Sequence, residues 1–236
     1  MAPRSTRDFR ATRRRFLQGS VAGAALSTVA RPLAAQQPPV PLEEYQAEYF
    51  DAAEWAFVMA ATARLIPSDG DGPGALETRV PVFIDREMAG EFGQAATWYM
   101  EGPHQPDAAP LFGYQSPLTP AEVYRGGIAG FNDWCSSKHG AAFADLDADT
   151  QDAALTALEA GDVPLGPELR DFFSLLLQNT KEGYFADPLY GGNHGMAAWV
   201  YIGFPGARAS FLEWTDPSKD NVPYPLGPVS IAGERA

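Results

Sequence analysis

TPAEVYRGGIAGFNDWCSSKHG, residues 119–140, reads as one complete helix with both of its ends encoded. Thr119 and Glu122 form a capping box, each side chain serving the other residue's backbone N–H. Pro120 takes the first helical position, where a missing donor costs little. Gly140 supplies the stop, and His139 places a basic group in the last turn, where a cation suits the helix dipole. Between these ends Tyr124, Ile128, Phe131 and Cys135 recur at steps of four, three and four, which is one apolar stripe. A helix with a single stripe must bury it against other elements, so the neighbouring segments decide the fold class.

Upstream, EEYQAEYFDAAEWAFVMAATARLI (43–66) is free of Gly and Pro and predicts an amphipathic helix ended by Pro67. Tyr49, Ala53, Ala56, Ala60 and Ala63 define its expected buried face, widened by Phe50, Phe57 and Leu65. A second helix is expected over Thr78–Met100, with Val80, Phe83, Ile84, Met88 and Phe92 at helical spacing and Pro81 in its first turn. Residues 102–118 hold four prolines and read as a loop. Downstream, a helix is expected over Asp149–Ala160, with Gly161 as its stop. Another starts near Pro167, with Leu169, Phe172, Phe173, Leu176 and Thr180 on its apolar face. MAAWVYIGF (196–204) suits a short helix or a strand equally, and residues 205–236, with five prolines, read as an extended arm. The expected fold class is all-α: a single domain of about five helices with irregular loops and an extended C-terminal arm.

The first 35 residues read as an address. They carry seven arginines against one acid, then a short Ala- and Gly-rich apolar stretch, then Leu33-Ala34-Ala35 as a small-residue exit. The apolar middle falls short of the roughly 20 strongly apolar residues that a membrane span needs. Within the first 35 residues, Arg13 and Arg14, followed by one residue and then Phe16 and Leu17, resemble the twin-arginine export signal, which a receptor reads and which does not anchor. Residues 1–35 are therefore expected to be a twin-arginine signal peptide and residues 36–236 one helical domain. Without the signal the chain loses seven of its 17 basic and one of its 30 acidic residues, leaving a net charge of about −19. So acidic a body repels nucleic acid and anionic surfaces, and no nucleic-acid partner is expected.

Cys135 is the only cysteine, which excludes an internal disulfide, a thiolate-held iron–sulfur cluster and a c-type haem attachment. An odd cysteine in an exported chain is either a buried thiol or half of an intermolecular disulfide, and Cys135 is the candidate for such a bridge. His104, His139 and His194 lack the spacing of a zinc site. Asp69-Gly70-Asp71-Gly72 matches an EF-hand only at its glycine and reads as a turn. There is no nucleophile elbow, dinucleotide fingerprint or phosphate-binding loop, and no cofactor is expected in this chain.

EGYFADPLYGGN, residues 182–193, then stands out. It packs aromatic residues, a proline and paired glycines around few titratable groups, a composition that holds a shape. Tyr184, Phe185 and Tyr190 are large rigid anchors of the kind that dominate interfaces, Pro188 and Gly191-Gly192 fix the turn, and Asp187 and Asn193 suit backbone capping. These eight residues are the candidate partner interface; the same aromatics equally suit closing the chain's own core.

With LIPSDGDGPGALE (65–77) and VPVFID (80–85), the block TKEGYFADPLYGGNHGMAAWVYIGFPG (180–206) resembles the gluconate 2-dehydrogenase subunit 3 family. The resemblance departs at His194-Gly195, where the family often has Arg-Asp, and at Ala198-Trp199-Val200, where it often has Gly-Trp-Lys. It implies a non-catalytic small subunit, with no catalytic, cofactor or metal residues of its own. The implied partner is a flavoprotein large subunit of the glucose–methanol–choline class that oxidises a sugar, polyol or gluconate and carries the FAD. A cytochrome c subunit with haem c is implied as a third component. The twin-arginine translocase is the expected partner during export, and the periplasm the expected location, with the inner membrane reached through partner subunits. The small subunit would serve the export and stability of the flavoprotein. The alternative from the residues alone is a stand-alone periplasmic enzyme or ligand-binding module with a site near Asp187, Tyr190 and His194.

Overall fold

Why the first helix begins where it does is explained by Asp51. In the computed structural model, which describes residues 39–216, 218 and 226–236, α1 spans Ala52–Leu65. The Asp51 side chain accepts from the N–H groups of Ala53 and Glu54, and the Glu54 carboxylate accepts from Asp51 N–H at 3.0 Å. That is a capping box, so the expected start at Glu43 is corrected. Residues 45–50 instead wrap around Asp85, which is fully buried. Its carboxylate accepts from Tyr45 Oη (3.0 Å) and from the N–H groups of Glu48 (2.7 Å), Tyr49 (3.0 Å) and Phe50 (3.2 Å). Donors spent on a carboxylate are not available to an i−4 carbonyl, so this stretch is not helical. The buried face of α1 is also corrected. Glu54, Phe57, Val58, Ala61 and Thr62 are buried, whereas Ala53 and Ala56 are exposed. The larger apolar side chains set the phase, because burying them removes more surface from water than burying alanines.

α2 covers Val80–Ala89, less than half of the expected length, because Gly90 turns the chain to extended backbone. α3 is Pro120–His139, with both halves of the Thr119/Glu122 box formed and Gly140 at φ 86°. Tyr124, Ile128, Phe131 and Cys135 on its stripe are all at most 2% exposed. α4 is Ala148–Glu159, capped by Asp147. α5 is Phe172–Phe185; the turn at Pro167–Leu169 is a separate 3-10 helix. α6, Ala197–Ile202, settles MAAWVYIGF as helix. Among the described residues there are six α-helices and no strand beyond isolated bridges.

The core is aromatic. The ring of Phe57 lies 5.2 Å from Phe143 and 6.0 Å from both Phe131 and Phe172, and Tyr124 meets Phe172 edge-on at 5.9 Å. Gly127 on α3 is needed for this packing, since a Cβ there would stand 2.3 Å from the Phe172 ring. Residues 42–236 form one compact unit. The C-terminal arm, 205–236, carries no α-helix among its described residues. It folds back, with Gly206 bridging Val229, Val229 bridging Arg235, and Pro228 and Ser230 buried. The export-signal residues Arg13, Arg14, Phe16 and Leu17, and the whole of 1–35, lie outside the described residues.

Candidate functional site

The stretch 182–193 divides into residues that lock it and residues that it displays. Glu182–Phe185 is the last turn of α5, and Pro188–Tyr190 is a 3-10 turn. The locks are polar and internal. Asn193 is fully buried; its Nδ2 donates to Ala186 O at 2.9 Å and its Oδ1 accepts from Ala198 N–H at 3.0 Å. Asp187 Oδ1 accepts from Leu189 N–H (3.1 Å) and Oδ2 from Ile231 N–H (2.6 Å), tying the turn to the C-terminal segment. Tyr184 is buried, and its hydroxyl donates to Pro73 O at 2.8 Å. Trp199 Nε1 donates to Phe185 O at 2.8 Å. Gly192 lies so close to α5 that a Cβ would stand 2.1 Å from Gly183 O.

Outward, Phe185, Leu189 and Tyr190 are 45%, 58% and 50% exposed. Phe185 and Tyr190 are therefore the members of the candidate interface with large accessible apolar area. Tyr184, Asp187, Gly192 and Asn193 support them from within, and Pro188 and Gly191 shape the turn. Leu189 is a displayed residue that sequence reasoning missed; its place between the proline and the tyrosine of the turn is the signal that was there to read.

Basic groups from α2 meet this turn. The Arg86 guanidinium Nη1 lies 2.9 Å from where a Cβ on Gly191 would stand. His194 N–H donates to Thr78 O at 3.1 Å, which holds His194 beside the residue that precedes Arg79. Partial burial, then the Arg79 charge, push the His194 pKa below its usual 6.5. Burial also lowers Arg79, and the Arg86 cation adds to that shift. The backbone is in the left-handed region at Arg79 (φ 59°), Asn193 (φ 43°) and Met196 (φ 57°), conformations that cost most side chains about 1 kcal/mol or more.

The alternative site at Asp187, Tyr190 and His194 has its carboxylate engaged on both oxygens by backbone N–H donors, the role of a turn cap rather than of a proton acceptor. Among the described residues no group of three or more His, Cys, Asp or Glu side chains is placed to hold a metal ion, and no helix is long and apolar enough to cross a membrane. Asp69–Gly72 forms a bend, and His139 sits in the last turn of α3, 5.6 Å ring to ring from Trp134. Cys135 is fully buried on α3, and burial raises its thiol to about 11. A bridge through it would require α3 to leave the core, so in this fold it acts as a small apolar side chain.

The model of the family described as gluconate 2-dehydrogenase subunit 3 matches residues 52–206, from the first residue of α1 to the glycine bridged to Val229. Comparisons with curated proteins and with solved structures each found no match.

Proposed function

The chain belongs to the gluconate 2-dehydrogenase subunit 3 family, and from that membership we propose that it is the non-catalytic small subunit of a periplasmic, FAD-dependent sugar, polyol or gluconate dehydrogenase. Its partner is a flavoprotein of the glucose–methanol–choline class, which holds the FAD and performs the oxidation. A haem c subunit takes the electrons onward, and the assembly reaches the inner membrane through these partners. The small subunit carries the twin-arginine signal for the complex and stabilises the flavoprotein.

The observation that carries this reading is the family match over residues 52–206. The divided stretch 182–193 supports it. A subunit needs a shaped surface with accessible apolar anchors, and Phe185 and Tyr190 stand on a turn whose conformation is fixed from within by Asn193 and Asp187. Fixing the turn in advance lowers the ordering cost of association. The test is export of the partner. With Arg13 and Arg14 both changed to Lys, the flavoprotein is expected to stay in the cytoplasm, and tagged wild-type chain is expected to bring a yellow, FAD-bearing companion out of the periplasm. Normal export of the flavoprotein from cells carrying the Lys variant would sink the escort role.

A further inference from the structure

We propose that Asp69–Gly70 is a self-modification site, where the peptide bond migrates onto the Asp69 side chain and leaves an isoaspartate, while the chemically matching pair Asp71–Gly72 is held off by Tyr201. The proposal is independent of any partner subunit.

The reaction needs only the chain and water. The Gly70 amide nitrogen attacks Asp69 Cγ; a C–N bond forms, and a carboxyl oxygen leaves as water together with the amide proton. The product is a cyclic imide. Water then opens the ring at either carbonyl. Opening at Cγ restores aspartate. Opening at the main-chain carbonyl leaves Gly70 bonded through Cγ, with the former main-chain carbon as a free carboxylate. Mass and net charge are unchanged, and the backbone is longer by one methylene carbon. Ring closure rotates the peptide plane between the two residues, so it is least hindered where glycine follows the aspartate on an exposed loop tip.

The loop between α1 and α2 is closed at its base. Ala75 N–H donates to Ile66 O at 2.9 Å, and Gly74 packs so near Ser68 that a Cβ would stand 2.7 Å from Ser68 N. Gly74 N–H donates to the Glu77 carboxylate at 2.8 Å. Residues 69–72 are the tip of this short loop. The two Asp–Gly steps on the tip differ in their surroundings. Asp69 and Gly70 are both exposed, Gly70 has φ 98°, and beyond its chain neighbours no atom lies within 4 Å of where its Cβ would be. Among the described residues no protein acceptor takes the Gly70 N–H. Gly72 is half-buried, and a Cβ there would stand 2.8 Å from the Tyr201 ring. The next carbonyl, Pro73 O, accepts from the Tyr184 hydroxyl at 2.8 Å. The 71–72 peptide is thus pinned by side chains of α5 and α6, whereas the 69–70 peptide is free to turn. Because the base is closed, the added carbon is taken up in the tip and the helices keep their packing. What changes is the surface beside the exposed Tyr201, where a carboxylate moves onto a shorter tether.

The experiment ages the purified chain in warm neutral buffer made with heavy-oxygen water. Peptides are then mapped by electron-transfer fragmentation, which distinguishes isoaspartate from aspartate. Each passage through the imide takes up a heavy oxygen, so the label reports ring closure and the fragments report the new linkage. Both are expected to accumulate at Asp69 at least about tenfold faster than at Asp71, the scale of effect that misplaced reacting atoms produce. In denaturant the two sites should react at similar rates. Tyr201→Ala should raise the rate at Asp71 and leave that at Asp69 unchanged, and Asp69→Glu, which needs a larger ring, should abolish the product at its position. Aged and fresh chain should melt at the same temperature. Equal rates in the folded chain, a lead for Asp71 or no product at Asp69 overturns the proposal, and these comparisons in wild type do not depend on any variant folding. A preference that persists in denaturant also overturns it, since the fold would not be its source. A folded Tyr201→Ala chain with Asp71 still inert removes Tyr201 as the guard. A melting temperature that falls as isoaspartate accumulates overturns the confinement of the change to the tip.

Discussion

The aromatic core and the turn at 186–199 are built on opposite plans. In the core, Phe57, Phe131, Phe143 and Phe172 face one another with no accessible surface. At the turn polar Asn193 and Asp187 are buried beside Met196, Ala198 and Trp199, and the apolar groups Leu189 and Tyr190 face outward. The first plan derives its stability from surface removed from water. The second derives a defined shape from a few directional bonds and leaves its apolar area available to something else. One molecule using both plans separates the part that keeps the chain folded from the part that it presents.

Substitutions should read out that difference, the largest effect first. Phe172→Ala removes a ring that touches Phe57 and Tyr124 and leaves a cavity, so a loss of about 3–5 kcal/mol is expected by denaturant unfolding. A loss below about 1 kcal/mol would mean that the core collapses around the gap. Asn193→Ala strands Ala186 O and Ala198 N–H and leaves alanine in the left-handed region, so about 2–3 kcal/mol is expected. In this variant hydrogen exchange should rise at residues 186–199 while α3 stays protected; uniform exchange would erase the proposed separation of the two regions. Leu189→Ala should change stability by no more than about 0.5 kcal/mol, because the side chain is already in water. A larger loss would place Leu189 with the core.

The smallest effect concerns pH. The His194 pKa in the fold lies below its unfolded value of 6.5, so the unfolded chain binds the proton more readily. The contribution of His194 to stability is therefore present above pH 6.5 and is lost as pH falls through the folded pKa. Thermal melts of wild type and His194→Gln should run level above that value and diverge in acid, where protonated His194 destabilises the wild type and the neutral Gln does not. Parallel curves would remove Arg79 as a neighbour that His194 senses.

Legibility in the sequence followed the range of the interactions. The α3 ends were legible because a capping box and a stop glycine act within a few residues, and the Tyr124-to-Cys135 stripe followed from the helical period. The start of α1 was misplaced because the donors of residues 48–50 go to Asp85, far along the chain. The end of α2 was misplaced because apolar periodicity continued to Phe92 while Gly90 broke the backbone. The stretch 182–193 was legible as a fixed shape with aromatic anchors. Which aromatics are anchors inside and which outside was not legible, since Tyr184 and Phe185 are adjacent and chemically alike.

Local chemistry by itself determined that the chain is helical, where its best helix starts and stops, and that residues 182–193 hold a turn, because caps, glycine stops and periodicity are written within a few positions of where they act. Only the tertiary structure decided that Asp85 shortens α1, that Asn193 and Trp199 lock the turn, and that Arg86 reaches Gly191. Those outcomes depend on groups far apart in the chain being brought within hydrogen-bonding or van der Waals reach, which no local pattern specifies.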